Sequence, residues 1–420
     1  MLSVKWLREN VEVMKESLAK RKTEADLDSF LRWDGERRRC TREVDELKYL
    51  QNKKSKQISQ FKKESKDAVD LINGMQHLAA KIKKLEKRKK ELDNKVTDFL
   101  LNFPNRLHPD VPWGENVEVR RWGKIPDFNF PVKDHQEIGE HLGILDFKAA
   151  AKITGSGFVL CKGLGARLER ALINFMLDMH IKKGYEEVLP PFMTNTSSTM
   201  GTAQLPKFKD ELYKLDKDDY YLVPTAEVPV TNIHREEILK EDKLPVYYTA
   251  YTPCFRREAG AYGKKIQGMI RVHQFNKVEL VKFTTPETSY DELEKLLQDA
   301  EEVLQKLGLA YRVVKLCGEE LGFAASFGYD IEVWLPSQKK WLEISTCSNF
   351  ESYQSRRASI KYREKLTGKT RYVHTLNGSG LAVGRCVVAI LENFQDEKGN
   401  VRIPEALAPH LGGVEIIERG

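Results

Sequence analysis

Arg256, Glu258, Arg271, Phe275 and Glu279 stand within one stretch, TPCFRREAGAYGKKIQGMIRVHQFNKVEL, from Thr252 to Leu280. Arginine forks bind phosphate, a phenyl face stacks a base, and a carboxylate accepts an amino proton, so the set suits a nucleotide. The flanks alternate as strands do, with Tyr251, Pro253 and Phe255 on one side and Arg271, His273, Phe275 and Lys277 on the other. Gly260, Gly263 and Gly268 punctuate the connection. The pattern predicts an antiparallel hairpin with a long basic loop.

Two further segments carry chemistry. Asn377–Arg385, NGSGLAVGR, has small residues that let backbone approach a ligand before Arg385 presents its guanidinium from a helix start. Gly184–Met193, GYEEVLPPFM, follows a strong amphipathic helix predicted over Ala166–Lys183. Other nucleotide and catalytic signatures are missing. The sequence has no GxxxxGK[ST] run, and Gly155, Gly157, Gly163 and Gly165 have the wrong spacing for a dinucleotide fingerprint. No Ser–His–Asp arrangement stands out, and the nine histidines are scattered. The six cysteines form no CxxC pair and no metal framework, so no zinc is expected and reduced thiols of a cytoplasmic protein are.

The elements that must position these residues alternate between strands and helices. Strands are predicted at Glu186–Val188, Tyr220–Val223, Val278–Val281, Tyr311–Val314, Asp330–Trp334 and Lys340–Ser345. Helices are predicted over Thr285–Lys306, with Pro286 at its start, and over Gly384–Leu391. Few helices among many strands indicate an α+β domain on a mostly antiparallel sheet flanked by helices.

Ahead of it lies a different pattern. Residues 1–34 read as a short helical lead-in, with Val4, Leu7, Val11, Met14 and Leu18 at helical spacing. Cys40, Val44, Leu47, Gln51, Lys54, Ile58 and Phe61 then form one heptad seam, and Met75, Leu78, Ile82, Leu85, Lys89, Leu92, Val96 and Phe99 another. A polar break at Glu64–Asp67 joins them, which predicts an antiparallel helical hairpin. Helices of about 26–30 residues would make an arm about 40 Å long. Gly74 should weaken the start of the second helix. Prolines and glycines over 102–126 mark a linker. The expected organisation is a helical domain over 1–101, the linker, and a catalytic domain over 127–420.

The chain of 420 residues carries a net charge of +7. Residues 36–100 alone hold 19 basic and 11 acidic side chains, a surplus of eight, so the remainder is near neutral. KIKKLEKRKK at 81–90 concentrates the charge on Lys83, Lys84, Lys87, Arg88 and Lys90. A projecting basic rod suits a phosphate backbone, read with little sequence preference. No apolar run is long enough to span a membrane. Glu9, Glu12 and Glu16 near the N-terminus argue against a transit peptide, and a signal peptide would need an apolar block.

The three chemical segments together resemble motifs 1, 2 and 3 of class II aminoacyl-tRNA synthetases. GTAQLPKF at 201–208, PTAEVPVTN at 224–232, EISTCSN at 343–349 and HTLNGSGLAVGR at 374–385 narrow the likeness. With the basic hairpin, the chain resembles the seryl-tRNA synthetase family along essentially its whole length. The resemblance implies that serine and ATP form seryl-adenylate, and that serine then passes to tRNA(Ser), with tRNA(Sec) as a further possible acceptor. It assigns Arg256 to the α-phosphate and the attacking carboxylate, Arg385 to the γ-phosphate, Phe275 to adenine stacking and Glu258 to the adenine amino group. Arg257, Glu343, Ile344, Ser345 and Thr346 fall in the ATP region, with Glu343 and Thr346 holding Mg²⁺ through ATP. Thr225, Ala226, Glu227, Glu279 and Ser379 fall in the serine pocket. A homodimer with Pro191 at its interface is implied as well, with the arm of one subunit reaching a tRNA whose acceptor end enters the other.

The sequence departs from the family pattern at Ala203, where Gly is usual, at Thr346, where Ser is usual, and at Phe350, where Cys is common. Lys265 and Gln267 replace a usual acid and a usual Arg in the motif 2 loop. Two other readings stay open at this point: a homologue that loads a non-tRNA acceptor, and an inactive tRNA-binding paralogue. The long basic arm speaks against the first.

Overall fold

The computed structural model describes residues 1–259 and 268–419. The chain forms two compact units. One comprises Leu2–Leu18 and Thr23–Pro104; the other comprises Met1, Ala19–Lys22 and the chain from Asn105 onward.

In the first unit, helices α1 (Val4–Glu9) and α2 (Val11–Lys20) precede two long helices, α3 (Leu27–Lys63) and α4 (Val69–Leu101). The Asp26 side chain caps α3 by accepting from the Ser29 N–H at 2.9 Å. The long helices have 37 and 33 residues, about 55 and 50 Å at 1.5 Å per residue, longer than the heptads alone predict. The extra turns come from Leu27–Asp34, which joins α3 rather than the lead-in, and from the residues from Val69 that precede the second seam in α4. Both seams face inward: every seam residue is buried or half-buried, and most of their neighbours are exposed. Phe30 stacks on Phe99 at 5.2 Å, Arg88 clasps Glu36 at 2.7 and 3.0 Å, and Lys48 meets Glu86 at 2.7 Å. A Cβ at Gly74 would stand 2.9 Å from the Lys54 ammonium, so the glycine gives room to a cation on the facing helix. Burial is uneven. In α3 it stops at Val44 and in α4 it begins at Ile82, so the distal half of both helices holds no fully buried side chain.

The second unit is built on an eight-stranded sheet. Its strands are β1 (Val117–Trp122), β2 (Glu186–Glu187), β3 (Val246–Phe255), β4 (Gln274–Thr284), β5 (Tyr311–Lys315), β6 (Phe327–Leu335), β7 (Lys340–Asn349) and β8 (His374–Ala382). They lie in the order β1-β5-β6-β7-β8-β4-β3-β2, antiparallel except for the terminal β2–β3 pair. Helices α5 (Leu164–Lys182), α6 (Ser289–Leu307) and α7 (Val383–Asn393) pack on this sheet. Leu293, Leu296, Ala300 and Leu304 form the buried stripe of α6. β1 lies inside the stretch read as a linker; Val117 and Trp122 at its two ends pair with β5, and Trp122 stacks on Tyr311 at 5.8 Å.

Among the boundaries that differ from the sequence reading, two have a clear local cause. Helix α6 starts at Ser289, not Thr285, because β4 runs to Thr284 and Thr285–Thr288 make the turn. The return strand of the hairpin starts at Gln274, so Arg271 and His273 lie ahead of it. The His273 N–H donates to the Gly157 carbonyl at 2.9 Å while its carbonyl accepts from the Arg256 N–H, which ends regular pairing. Gly260, Gly263, Lys265 and Gln267 lie outside the described residues. No described helix is long and apolar enough to cross a membrane.

Candidate active site

Strand alternation decides what faces the site. On β4, Phe275, Lys277 and Glu279 point one way, while Asn276 points the other and donates to Glu169 at 2.8 Å. Across the sheet, Glu279 pairs with Ser379 and Lys277 with Ala382, which brings the last turn of β8 and the start of α7 beside the hairpin. A single cavity of about 660 Å³ opens on that face.

Arg256 and Arg385 both line it, with Glu258 and Phe275. The Arg256 guanidinium lies over the Phe275 ring, 5.2 Å from its centre, and donates to the Pro224 carbonyl at 3.3 Å. Glu258 receives Arg271 at 2.8 Å. Arg385, two residues into α7, donates to the Glu343 carbonyl at 2.5 Å and lies 3.3 Å from its carboxylate. Glu343, Ile344 and Thr346 line the cavity as well, and the Thr346 hydroxyl lies 3.4 Å from the Glu343 carboxylate.

Thr225, Glu227, Glu279 and Ser379 line the same cavity. The Thr225 hydroxyl donates to Glu279 at 3.1 Å, and Lys277 pairs with the same carboxylate. Gln354 donates to Glu227 at 2.5 Å, itself positioned by the Thr375 hydroxyl at 2.7 Å. Burial, and next the nearby Glu279 charge, push the Glu227 carboxyl up to about 7.

Three expected residues stand outside the cavity. Ala226 is fully buried in an apolar cluster with Val230 and Phe283. Ser345 is buried and donates to the Ser379 carbonyl at 2.7 Å, so it holds the serine-side strand from behind. Arg257 alternates outward to solvent. On the arm, Lys83, Lys84, Lys87 and Lys90 are exposed, whereas Arg88 is committed to Glu36 and Glu91.

Sequence reasoning missed three residues. Lys277 and Asn377 line the cavity; each sat in plain view, one as a strand flank and one as the first residue of NGSG. Asp330 on β6 pairs in register with Thr346 and keeps one carboxylate oxygen without a hydrogen-bond partner. Burial, followed by Glu343, raises its carboxyl well above the ordinary range. Only the fold brings it beside Glu343.

Residues 1–107 match the family profile described as the seryl-tRNA synthetase N-terminal domain, and residues 207–394 match the tRNA synthetase class II core domain (G, H, P, S and T). The serine–tRNA ligase of Thermodesulfovibrio yellowstonii is 55% identical over 419 residues, spanning 98% of this chain and 99% of that one. The chain belongs to the seryl-tRNA synthetase family. The family member of Geobacter sulfurreducens is 56% identical, spanning 99% of this chain and all of its own. Among solved structures, the seryl-tRNA synthetase of Pyrococcus horikoshii complexed with ATP matches with a TM-score of 0.95 and 38% identity, over the whole of both chains. The cytoplasmic serine–tRNA ligase of Naegleria fowleri in complex with AMP matches at 0.89 and 28%, covering 100% of this chain and 99% of that one. This seryl-tRNA synthetase fold accordingly joins a long helical hairpin to a class II antiparallel sheet.

Proposed function

We propose that this protein is a working serine–tRNA ligase: it activates L-serine with ATP and esterifies serine to tRNA(Ser). The observation that carries the reading is one cavity lined by Arg256, Arg385 and Phe275 together with the Thr225–Glu279–Lys277 cluster. Phosphate forks, a base platform and a buried polar pocket are what the first step requires.

In that step a serine carboxylate oxygen attacks the α-phosphorus in line, and pyrophosphate leaves. Covalent help from the protein is not needed; positioning and charge stabilisation carry the catalysis. Arg256 holds the α-phosphate and the attacking oxygen, Arg385 the γ-phosphate, and Phe275 the adenine. Arg385 exchanges its Glu343 contact for phosphate on binding. Glu279 accepts a hydrogen bond from the substrate hydroxyl, and alanine bound in place of serine would leave that acceptor unpaired. In the second step a terminal hydroxyl of tRNA attacks the seryl carbonyl and AMP leaves. Glu343 and Thr346 offer adjacent oxygen donors, which fit Mg²⁺ shared with ATP phosphates. The metal would neutralise phosphate charge.

We assign tRNA binding to the helical hairpin within 1–101 and chemistry to 127–420, with the cytoplasm as the working compartment, in keeping with six unpaired cysteines. The exposed Leu189, Phe192 and Met193 beside Pro191 support a homodimer built on that strip. Serine-dependent exchange of pyrophosphate into ATP, followed by charging of unfractionated tRNA, tests the reading. Absence of exchange overturns it; exchange without charging moves the product to another acceptor.

A further inference from the structure

We infer that Arg21 and Asn105, far from the chemical motifs in sequence, are positioning residues for serine activation, because together they hold the backbone wall at the serine end of the cavity. The wall is Leu321–Ala325. Gly322, Phe323, Ala324 and Ala325 line the cavity directly. None belongs to a helix or strand, so no ladder satisfies their carbonyls.

Two side chains and one amide supply the partners. Arg21 donates to the carbonyls of Leu321 at 2.9 Å, Gly322 at 3.3 Å and Ala325 at 2.6 Å, and anchors itself on the Asn105 carbonyl at 3.2 Å. Asn105 donates through its amide to Ala324 at 2.9 Å and to Phe350 at 3.0 Å, and through its backbone N–H to Phe323 at 3.0 Å. Every carbonyl from 321 to 325 therefore receives a donor from Arg21 or Asn105. Both residues are buried, at 8% and 1% exposure. The same seam is tightened nearby: a Cβ on Gly318 would stand 2.4 Å from the Lys20 carbonyl, and Lys22 pairs with Glu319 at 2.7 Å. Residues Ala19–Lys22 accordingly belong with the second unit although Ala19 and Lys20 are the last residues of α2.

Register places the wall. Gly328 pairs with Ser348, and Ser348 with Asn377. Asn377 neighbours Gly378 and Ser379, the latter opposite Glu279. Glu343, which meets Arg385, lies roughly 16 Å further along β7 from Ser348 at about 3.3 Å per residue. The wall thus borders the amino-acid pocket rather than the γ-phosphate end. An arginine is suited to the task because its planar fork reaches several carbonyls at once, which a lysine point charge cannot do.

The inference rests on the serine-activating function proposed above. Arg21→Lys and Asn105→Ala are compared with the unaltered full-length protein by pyrophosphate exchange, normalised by active-site titration. The expected result is a five- to twentyfold rise in the KM for serine, with the KM for ATP within twofold and tRNA affinity by gel shift unchanged. A merely destabilised protein would lose active fraction but keep its KM values. Serine KM values within twofold of the unaltered protein in either folded variant overturn the inference, as does an equal rise in both KM values. Absence of serine-dependent exchange in the unaltered protein would instead overturn the functional reading.

Discussion

The Arg256 guanidinium rests 5.2 Å from the centre of the Phe275 ring, so the phosphate fork and the base platform touch each other before any ligand does. Contacts of this type contribute about 0.5–2 kcal/mol, and aromatic stacking a similar amount. Phe275→Leu keeps apolar bulk but loses both. The KM for ATP should rise roughly tenfold, with the KM for serine within twofold, as read by pyrophosphate exchange. Equal effects on both substrates would remove Phe275 from adenine binding.

Arg385 is held against Glu343 at the mouth of the cavity. If it moves onto phosphate in the transition state, Arg385→Ala should lower the exchange rate by about 10²–10³, as loss of one preorganised donor does. Glu343→Gln removes the carboxylate contact to Arg385 but leaves the backbone carbonyl one, and it should still slow exchange, because it also takes the negative charge from the oxygen pair offered to Mg²⁺. Titrating Mg²⁺ in that variant should show a raised requirement; an unchanged one would take Glu343 out of the metal site.

Glu227 carries a folded-state carboxyl raised to about 7 by burial and by Glu279. Between its unfolded value, about 4.3, and 7, the folded protein keeps a proton that the unfolded chain has released. Stability therefore falls as pH rises through that window, by about 4 kcal/mol, and is flat above it. Glu227→Gln should abolish that contribution. Urea midpoints of both proteins at pH 5 and pH 8 check it: a parallel pH response in the two would contradict the raised value.

Lys83, Lys84, Lys87 and Lys90 are exposed on α4, while Arg88 is bound to the facing helix. Changing the four lysines to glutamine should weaken tRNA charging and lower the salt slope by up to about 0.7–0.9 per lysine that meets a phosphate. Serine-dependent exchange should stay unchanged. Arg88→Gln should act differently, lowering hairpin stability before tRNA affinity. A fall in exchange in the four-lysine variant would mean that these residues support the catalytic fold.

The hairpin seams, the basic surplus and the antiparallel class of the sheet were legible because each rests on a local period or count. That Arg256, Phe275, Glu279 and Arg385 belong together was legible through motifs, and the fold brings all four to one cavity. What escaped depends on register across strands. Asp330 meets Glu343 only because β6 lies antiparallel to β7, and Lys277 reaches Glu279 only because a residue two positions along a strand returns to the same face. Ser345 and Ala226 were expected at the ligand, but their side chains pack away from the cavity. The start of α6 was misplaced because Thr-Pro at 285–286 also suits the turn that ends β4. Ala203 has φ +67°, a conformation that favours glycine, which accounts physically for the usual Gly there.

The hairpin's packing is graded from root to tip. Near the root, Phe30 stacks on Phe99, and Leu92 and Val96 are buried; beyond Val44 and before Ile82 the seam continues through Gln51, Lys54 and other half-covered side chains. Local opening costs little where few apolar contacts must be broken. The outer turns should therefore exchange their amide hydrogens with solvent deuterium much faster than the inner ones. A limb firm at the shoulder and pliant at the fingertips can mould itself to a bent, irregular nucleic acid without disturbing the residues that anchor it.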